Sequence, residues 1–252
     1  MTILCYHDVC SGWTSPLATE PAAFAAQSAW LAGHKTVLPL EQAVDRLDRS
    51  GRLPPGMTAL TFDDGFTGVY DHAFPVLRRT RLPATVFLVA QTLTPAGRPV
   101  DWVDTPPAEP LRTLSIDQVR EMQEAGVRFQ SHSYAHTDLT LLGFDECVRD
   151  LSESRQLLES LLGRPVRLLA YPRGRHNEAV REAARQAGYS HAFTLPEGRE
   201  RVGAYSVPRV GLYHGNTVAD LRLKAARGYL RLRTGPVYGL ARAAARTARR
   251  AS

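Results

Sequence analysis

Short β-branched or apolar runs alternate along this chain with segments of helical period, and that alternation restricts the fold more than any single residue does. Strands are predicted over residues 2–6, 58–62, 84–89, 127–131, 167–171, 191–195 and 205–210, and helices over 21–33, 40–49, 69–80, 116–125, 145–162 and 177–187. Gly51, Gly126, Gly163 and Gly188 each follow the last periodic residue of a helix, where a C-terminal glycine is expected. About seven strands, each followed by a helix, imply a parallel sheet. For 252 residues, closure into a single α/β barrel is the compact solution. One stretch breaks the pattern: Gln91 to Leu111 holds five prolines and Trp102 and is too long for an ordinary βα connection. It follows a strand, which puts it on the face where barrel loops build binding sites. Trp102 reads there either as a sugar platform or as an anchor packing the loop down.

A chain that is 44% hydrophobic and 22% charged is globular rather than disordered, and no run approaches the 18 apolar residues a membrane-spanning helix needs. The start has no basic region followed by an apolar one, and Cys5, Cys10 and Cys147 show neither full pairing nor zinc spacing. The expectation is a cytoplasmic protein with reduced thiols. The net charge of +6 is unevenly placed, since Leu221 to Ser252 carries nine basic residues and no acidic one. The 220 residues before it hold 22 basic and 25 acidic side chains, a net −3, which removes the main support for a nucleic-acid-binding body. Domain organisation is therefore expected as a barrel over residues 1–215 and a basic helical tail over 216–252, with a weakly apolar helix drawn over 237–250. Such a tail suits peripheral attachment to the anionic inner face of a membrane, or is simply a solvated basic end.

Thr61-Phe62-Asp63-Asp64-Gly65 carries the chemistry: an apolar strand ends in two carboxylates and a glycine. Side chains alternate along a strand, so neighbours share a site only where the strand stops and turns. One carboxylate can then be held ionised on a metal while the other accepts a proton from water. Taken alone, the segment reads first as an Asp-Asp-Gly turn closing a strand. It is not alone, because His132-Ser133-Tyr134-Ala135-His136 follows another strand, and on a helical turn that spacing puts both imidazoles on one face. Two histidines and a carboxylate, with a fourth position for water, form the ligand set of a catalytic zinc site, open also to iron or another divalent ion.

These two motifs, in this order, resemble the polysaccharide deacetylase (NodB-homology, carbohydrate esterase family 4) proteins, over roughly Ile3 to Arg209. The resemblance implies a distorted (β/α) barrel and metal-dependent hydrolysis of acetamido groups on an amino-sugar-containing glycan or glycoconjugate. It implies Asp63 as general base and Asp64, His132 and His136 as ligands of one divalent ion, zinc first, with cobalt, manganese, nickel or iron(II) also compatible. Amide hydrolysis also needs an acid, because an amine leaves poorly unless protonated. His7, in Tyr6-His7-Asp8, resembles the histidine motif of a subgroup in which that motif lies at the N-terminus, whereas His214 resembles the late Leu-x-His motif of the ordinary order. His7 is favoured, since His214 lies beyond the last predicted strand.

Leu169-Ala170-Tyr171-Pro172-Arg173-Gly174 occupies the place of the family's third motif, but Ala170 stands where an arginine that orients the base is usual. Either Arg209 supplies that guanidinium from another strand or Asp63 is held differently. By the same resemblance, Tyr171, Pro172 and Arg173 belong to the substrate side, with the Arg173 N–H at the oxyanion; a plain Pro-Gly turn fits these residues too. The partners implied are an N-acetylated sugar or glycan, free or linked to lipid at the membrane face, and no nucleic acid. A deformylase or amidase for a small molecule, an O-acetyl esterase on the same metal site, and a silent carbohydrate-binding module are the competing classes.

Overall fold

The structure, a computed structural model, describes residues 2–50, 56–196, 202–226 and 228–234. The chain opens with β1 (Thr2–Tyr6), a short parallel pair β2 (Asp8–Val9) and β3 (Ala18–Thr19), α1 (Pro21–His34), β4 (Thr36–Val37) and α2 (Leu40–Ser50). It continues through β5 (Met57–Phe62), α3 (Phe74–Thr80), β6 (Ala84–Leu88), α4 (Ile116–Glu124), β7 (Arg128–Ser131) and α5 (Phe144–Leu162). The last elements are β8 (Leu168–Ala170), α6 (Glu178–Gln186), β9 (His191–Thr194), β10 (Val207–Pro208), β11 (Val210–Gly211), α7 (Val218–Lys224) and α8 (Tyr229–Thr234).

The main sheet is parallel throughout, in the order β10-β9-β8-β7-β6-β5-β1-β11, with β4 added on β5. Every residue of β1 and β6 is buried, as expected of strands covered on both faces. Side chains divide by alternation. Ile3, Ala59, Phe87, Leu168 and Phe193 form an inner cluster with Leu40, Ala43, Val44 and Leu47 of α2, while Leu4, Tyr6, Leu60, Phe62, Val86 and Leu88 face outward into the layer of helices.

The strand predicted over 205–210 is broken at Arg209 into two stubs with different partners. Val207 pairs with Phe193 of β9, and Val210 pairs with Leu4 of β1. The Arg209 amide still donates to Thr194 O at 3.0 Å, and Leu212 N donates to Cys5 O at 2.8 Å. The two ends of the sheet are thus halves of one segment, which nearly closes the barrel with Arg209 at the seam. The helix predicted over 69–80 begins instead as a π-turn over Val69–Ala73, because Pro75 has no N–H to continue an α ladder. Gly126, Gly163 and Gly188 take positive φ just past α4, α5 and α6, as expected, while Gly51 lies outside the described residues.

Past residue 216 the chain continues into α7. α7 is docked on the barrel, with Leu221 buried and Lys224 Nζ donating to Gly211 O at 2.8 Å. The helix drawn over 237–250 lies outside the described residues. No helix among the described residues is long and apolar enough to cross a membrane.

Candidate active site

β5 delivers two carboxylates to one place because the chain reverses its hand at once. The Asp63 amide still donates to Tyr6 O at 3.0 Å, so Asp63 keeps the strand's inward alternation. Asp64 then takes φ +67° and Gly65 φ +67°, turning Asp64 back over the barrel mouth. The positive φ favours glycine at 65, where a Cβ would also press on the Leu88 side-chain end at 2.7 Å.

The neighbours have separate partners. Both oxygens of Asp63 are taken by Arg209, at 2.6 Å and 2.7 Å, and Arg209 also donates to Thr61 Oγ1 at 3.2 Å. Burial opposes ionisation of Asp63, but the charged and hydrogen-bonding groups around it, the Arg209 guanidinium first among them, together hold the carboxyl well below its ordinary pKa. The Cys5 thiol donates to Asp63 Oδ2 at 3.3 Å, and burial pushes its own pKa well up. Ala170 contributes only its carbonyl to the site; the guanidinium on Asp63 comes from the seam.

Asp64 Oδ1 faces the other group. His136 Nε2 lies 3.2 Å away, His132 Nε2 3.6 Å, and Trp102 Nε1 donates to the same oxygen at 3.1 Å. The two histidines do not ride a helical turn. They bracket a loop in which Ser133 and His136 take positive φ, +68° and +54°. Ser133 Oγ accepts from His136 N at 3.0 Å, and Asp150 of α5 accepts from Tyr134 N at 2.9 Å, which holds the loop.

A cation fits this donor set. His132 Nδ1 donates to Ala170 O at 2.8 Å, which leaves Nε2 bare, and burial lowers the ring's pKa to about 4, so it is neutral near pH 7. A bare nitrogen then faces a carboxylate oxygen, two lone pairs opposed in a dry place, and a positive ion resolves that conflict. Asp64, His132 and His136 each offer a ligand atom, all within 4.8 Å of one another.

His7 reaches the same cavity and His214 does not. The cavity, about 270 Å³, is lined by His7, Asp63, Asp64, His132, His136 and Arg173 among others. His7 is buried, and its Nδ1 has no hydrogen-bond partner among the described residues. His214 is exposed and contributes only its amide, to Pro16 O. Cys5, His7 and Asp63 form a second group of ligand atoms within 4.8 Å of one another.

Of the third-motif residues, Arg173 lines the cavity in a left-handed conformation, φ +57°. Tyr171 is buried behind it, its hydroxyl donating to Tyr205 O and its ring stacked on His176; neither it nor Pro172 lines the cavity. Trp102 is an anchor. It is 9% exposed, its N–H bonds Asp64 and its ring stacks on His136, while it also lines the cavity. Trp13, the 15–17 loop and Asp150 were not legible as site residues, because each acts through contacts distant in sequence.

A family model described as polysaccharide deacetylase matches residues 50–192, more than half the chain. The YxkH protein of Bacillus subtilis is 27% identical over 220 residues, covering 85% of this chain and 72% of that one. The poly-β-1,6-N-acetyl-D-glucosamine N-deacetylase of Staphylococcus epidermidis is 28% identical over 198 residues, 74% of this chain, and the match spans 65% of that relative's length. Among solved structures, IcaB from Ammonifex degensii superposes with a TM-score of 0.73 at 27% identity, over 89% of this chain and 96% of that one. The near-closed parallel barrel, the carboxylate pair and the two histidines thus sit in a chain that belongs to the polysaccharide deacetylase family, hydrolases of the amide bond.

Proposed function

We propose that this chain is a metal-dependent N-deacetylase of acetamido sugars in a glycan of the N-acetylglucosamine type, with Asp63 as base and His7 as acid. The observation that carries the reading is the division between adjacent carboxylates: Asp63 is committed to Arg209, whereas Asp64 faces His132 and His136. Asp64, His132 and His136 would hold a divalent ion, zinc or another that accepts this donor set. Such an ion, when bound, makes water a stronger acid and polarises the acetyl carbonyl. Arg209 keeps Asp63 charged and aimed, so that its carboxylate takes the proton released as water's oxygen bonds to the acetyl carbon. His7 protonates the nitrogen as the C–N bond breaks, releasing acetate and a free amine. An acid in the cavity favours amide over ester hydrolysis, since an alkoxide leaves without one.

The name of the staphylococcal relative supports the N-acetylglucosamine class. Three free cysteines suit a reducing compartment, and the basic residues after Leu221 suit a lipid-linked acceptor at the cytoplasmic membrane face. Assaying acetate release from N-acetylglucosamine oligomers, an O-acetylated sugar and a formamide tests the reaction. The amide oligomers are expected to be preferred, and preference for either of the others would replace the reading. Deleting residues 237–252 is expected to spare hydrolysis of a soluble oligomer and to weaken binding to anionic vesicles, an effect that fades as salt rises. Unchanged vesicle binding would remove the tail as anchor.

A further inference from the structure

The cavity is walled on three sides. Residues 102–105 cross the barrel mouth as a strap. At one end Arg173, beyond β8, donates to Trp102 O at 2.7 Å and to the Asp104 carboxylate at 3.1 Å and 3.3 Å. At the other end Trp13, beyond β1, donates to Thr105 O at 2.7 Å. Trp102, Val103, Asp104 and Thr105 all line the cavity together with Asp63, Asp64 and His132, so the strap walls the site itself. The second wall is the 15–17 loop, fixed by Asp8 N on Leu17 O at 3.1 Å and by His214 N on Pro16 O at 3.0 Å. The third is Arg173 with Leu195 beyond β9. There the backbones touch, since a Cβ at Gly174 would lie 2.6 Å from Leu195 N.

A polymer bound through its interior needs a groove open at two ends, because chain leaves the reacting sugar in both directions. A walled pocket meets only one exit. Its volume of about 270 Å³ is below the roughly 300–1,000 Å³ of sites that enclose drug-sized ligands, which leaves room for about one sugar with its acetamido arm. We infer that the site takes its acetamido sugar from the end of a chain or from a short conjugate, and not from the interior of a long polymer. The inference rests on the N-deacetylase reading above and names the form of its substrate.

The test maps which residue loses acetyl when the zinc-loaded full chain is given end-labelled β-1,6-linked N-acetylglucosamine oligomers of increasing length. Deacetylation is expected at a terminal residue only, with kcat/KM flat beyond the disaccharide. The double variant Trp13→Phe, Asp104→Ala, which removes side-chain contacts at both ends of the strap, is expected to raise the internal share. Internal deacetylation by the unaltered chain at a rate like the terminal one, or kcat/KM climbing steadily with length, would overturn the inference and leave the deacetylase reading standing. A double variant with an unchanged positional pattern would remove the strap as its cause. Hydrolysis of no acetamido sugar at any length, with an O-acetyl ester cleaved, would sink both.

Discussion

His7→Ala is expected to lower turnover of an acetamido sugar by about 10²–10⁴-fold, the usual contribution of a positioned general acid, with bound metal unchanged. The loss should be far smaller on an activated ester, whose leaving group needs no proton. Asp63→Asn should impair both substrates, because accepting the water proton is common to them. This selectivity separates an acid from a residue that only shapes the cavity, which would affect both alike. His7 is the candidate because it lines the cavity with Asp63, Asp64, His132 and His136, while His214 is exposed outside it. An amide-selective loss in His214→Ala, with His7→Ala unaffected, would reverse the assignment.

The second large effect is expected from Arg209→Met. Arg209 and Asp63 are both fully buried and doubly hydrogen-bonded, and removing one partner of such a pair strands a charge in a dry interior. That costs about 3–5 kcal/mol, which for a chain of this size lowers the melting temperature by on the order of 10 °C. Adding Asp63→Asn should recover part of the loss, as no charge then remains to strand. The sign with pH follows from the depressed pKa of Asp63. Its stabilising contribution is complete above the unfolded carboxylate range and is lost only as pH falls through the lower folded value. The wild type should therefore keep this pair through mild acid, and a chemical-denaturation series in pH would show it. A stability difference between wild type and Arg209→Met that vanishes above pH 5 would contradict the arrangement.

The barrel was legible because each strand and helix carries its own period, and buried parallel strands read as short apolar runs. The motif positions followed from the same pattern, since Asp63 and His132 stand where runs stop. Closure was not legible in detail: the break at Arg209 depends on which neighbour each half meets, β9 on one side and β1 on the other. Ala170 in place of the usual arginine raised Arg209 as one alternative, and the structure puts that guanidinium on Asp63. The His132–His136 spacing suggested a helical turn. Ser133 and His136 instead adopt left-handed conformations, unusual for side-chain-bearing residues and held by Ser133 Oγ, with Asp150 bracing the loop between them. An indole alone says nothing about its partners, so the sequence leaves Trp102 open between platform and anchor. Its contacts, Asp64 and His136, come from other strands.

The central claim is that the two adjacent carboxylates divide their work, one toward a metal and one toward a proton. An anomalous-scattering map from crystals grown with equimolar zinc tests it directly, because two groups of three ligands lie side by side: Asp64, His132 and His136, and Cys5, His7 and Asp63. One peak is predicted at the first group, with Asp63 still paired to Arg209. No peak there, or a peak at Cys5, His7 and Asp63 instead, would contradict the account.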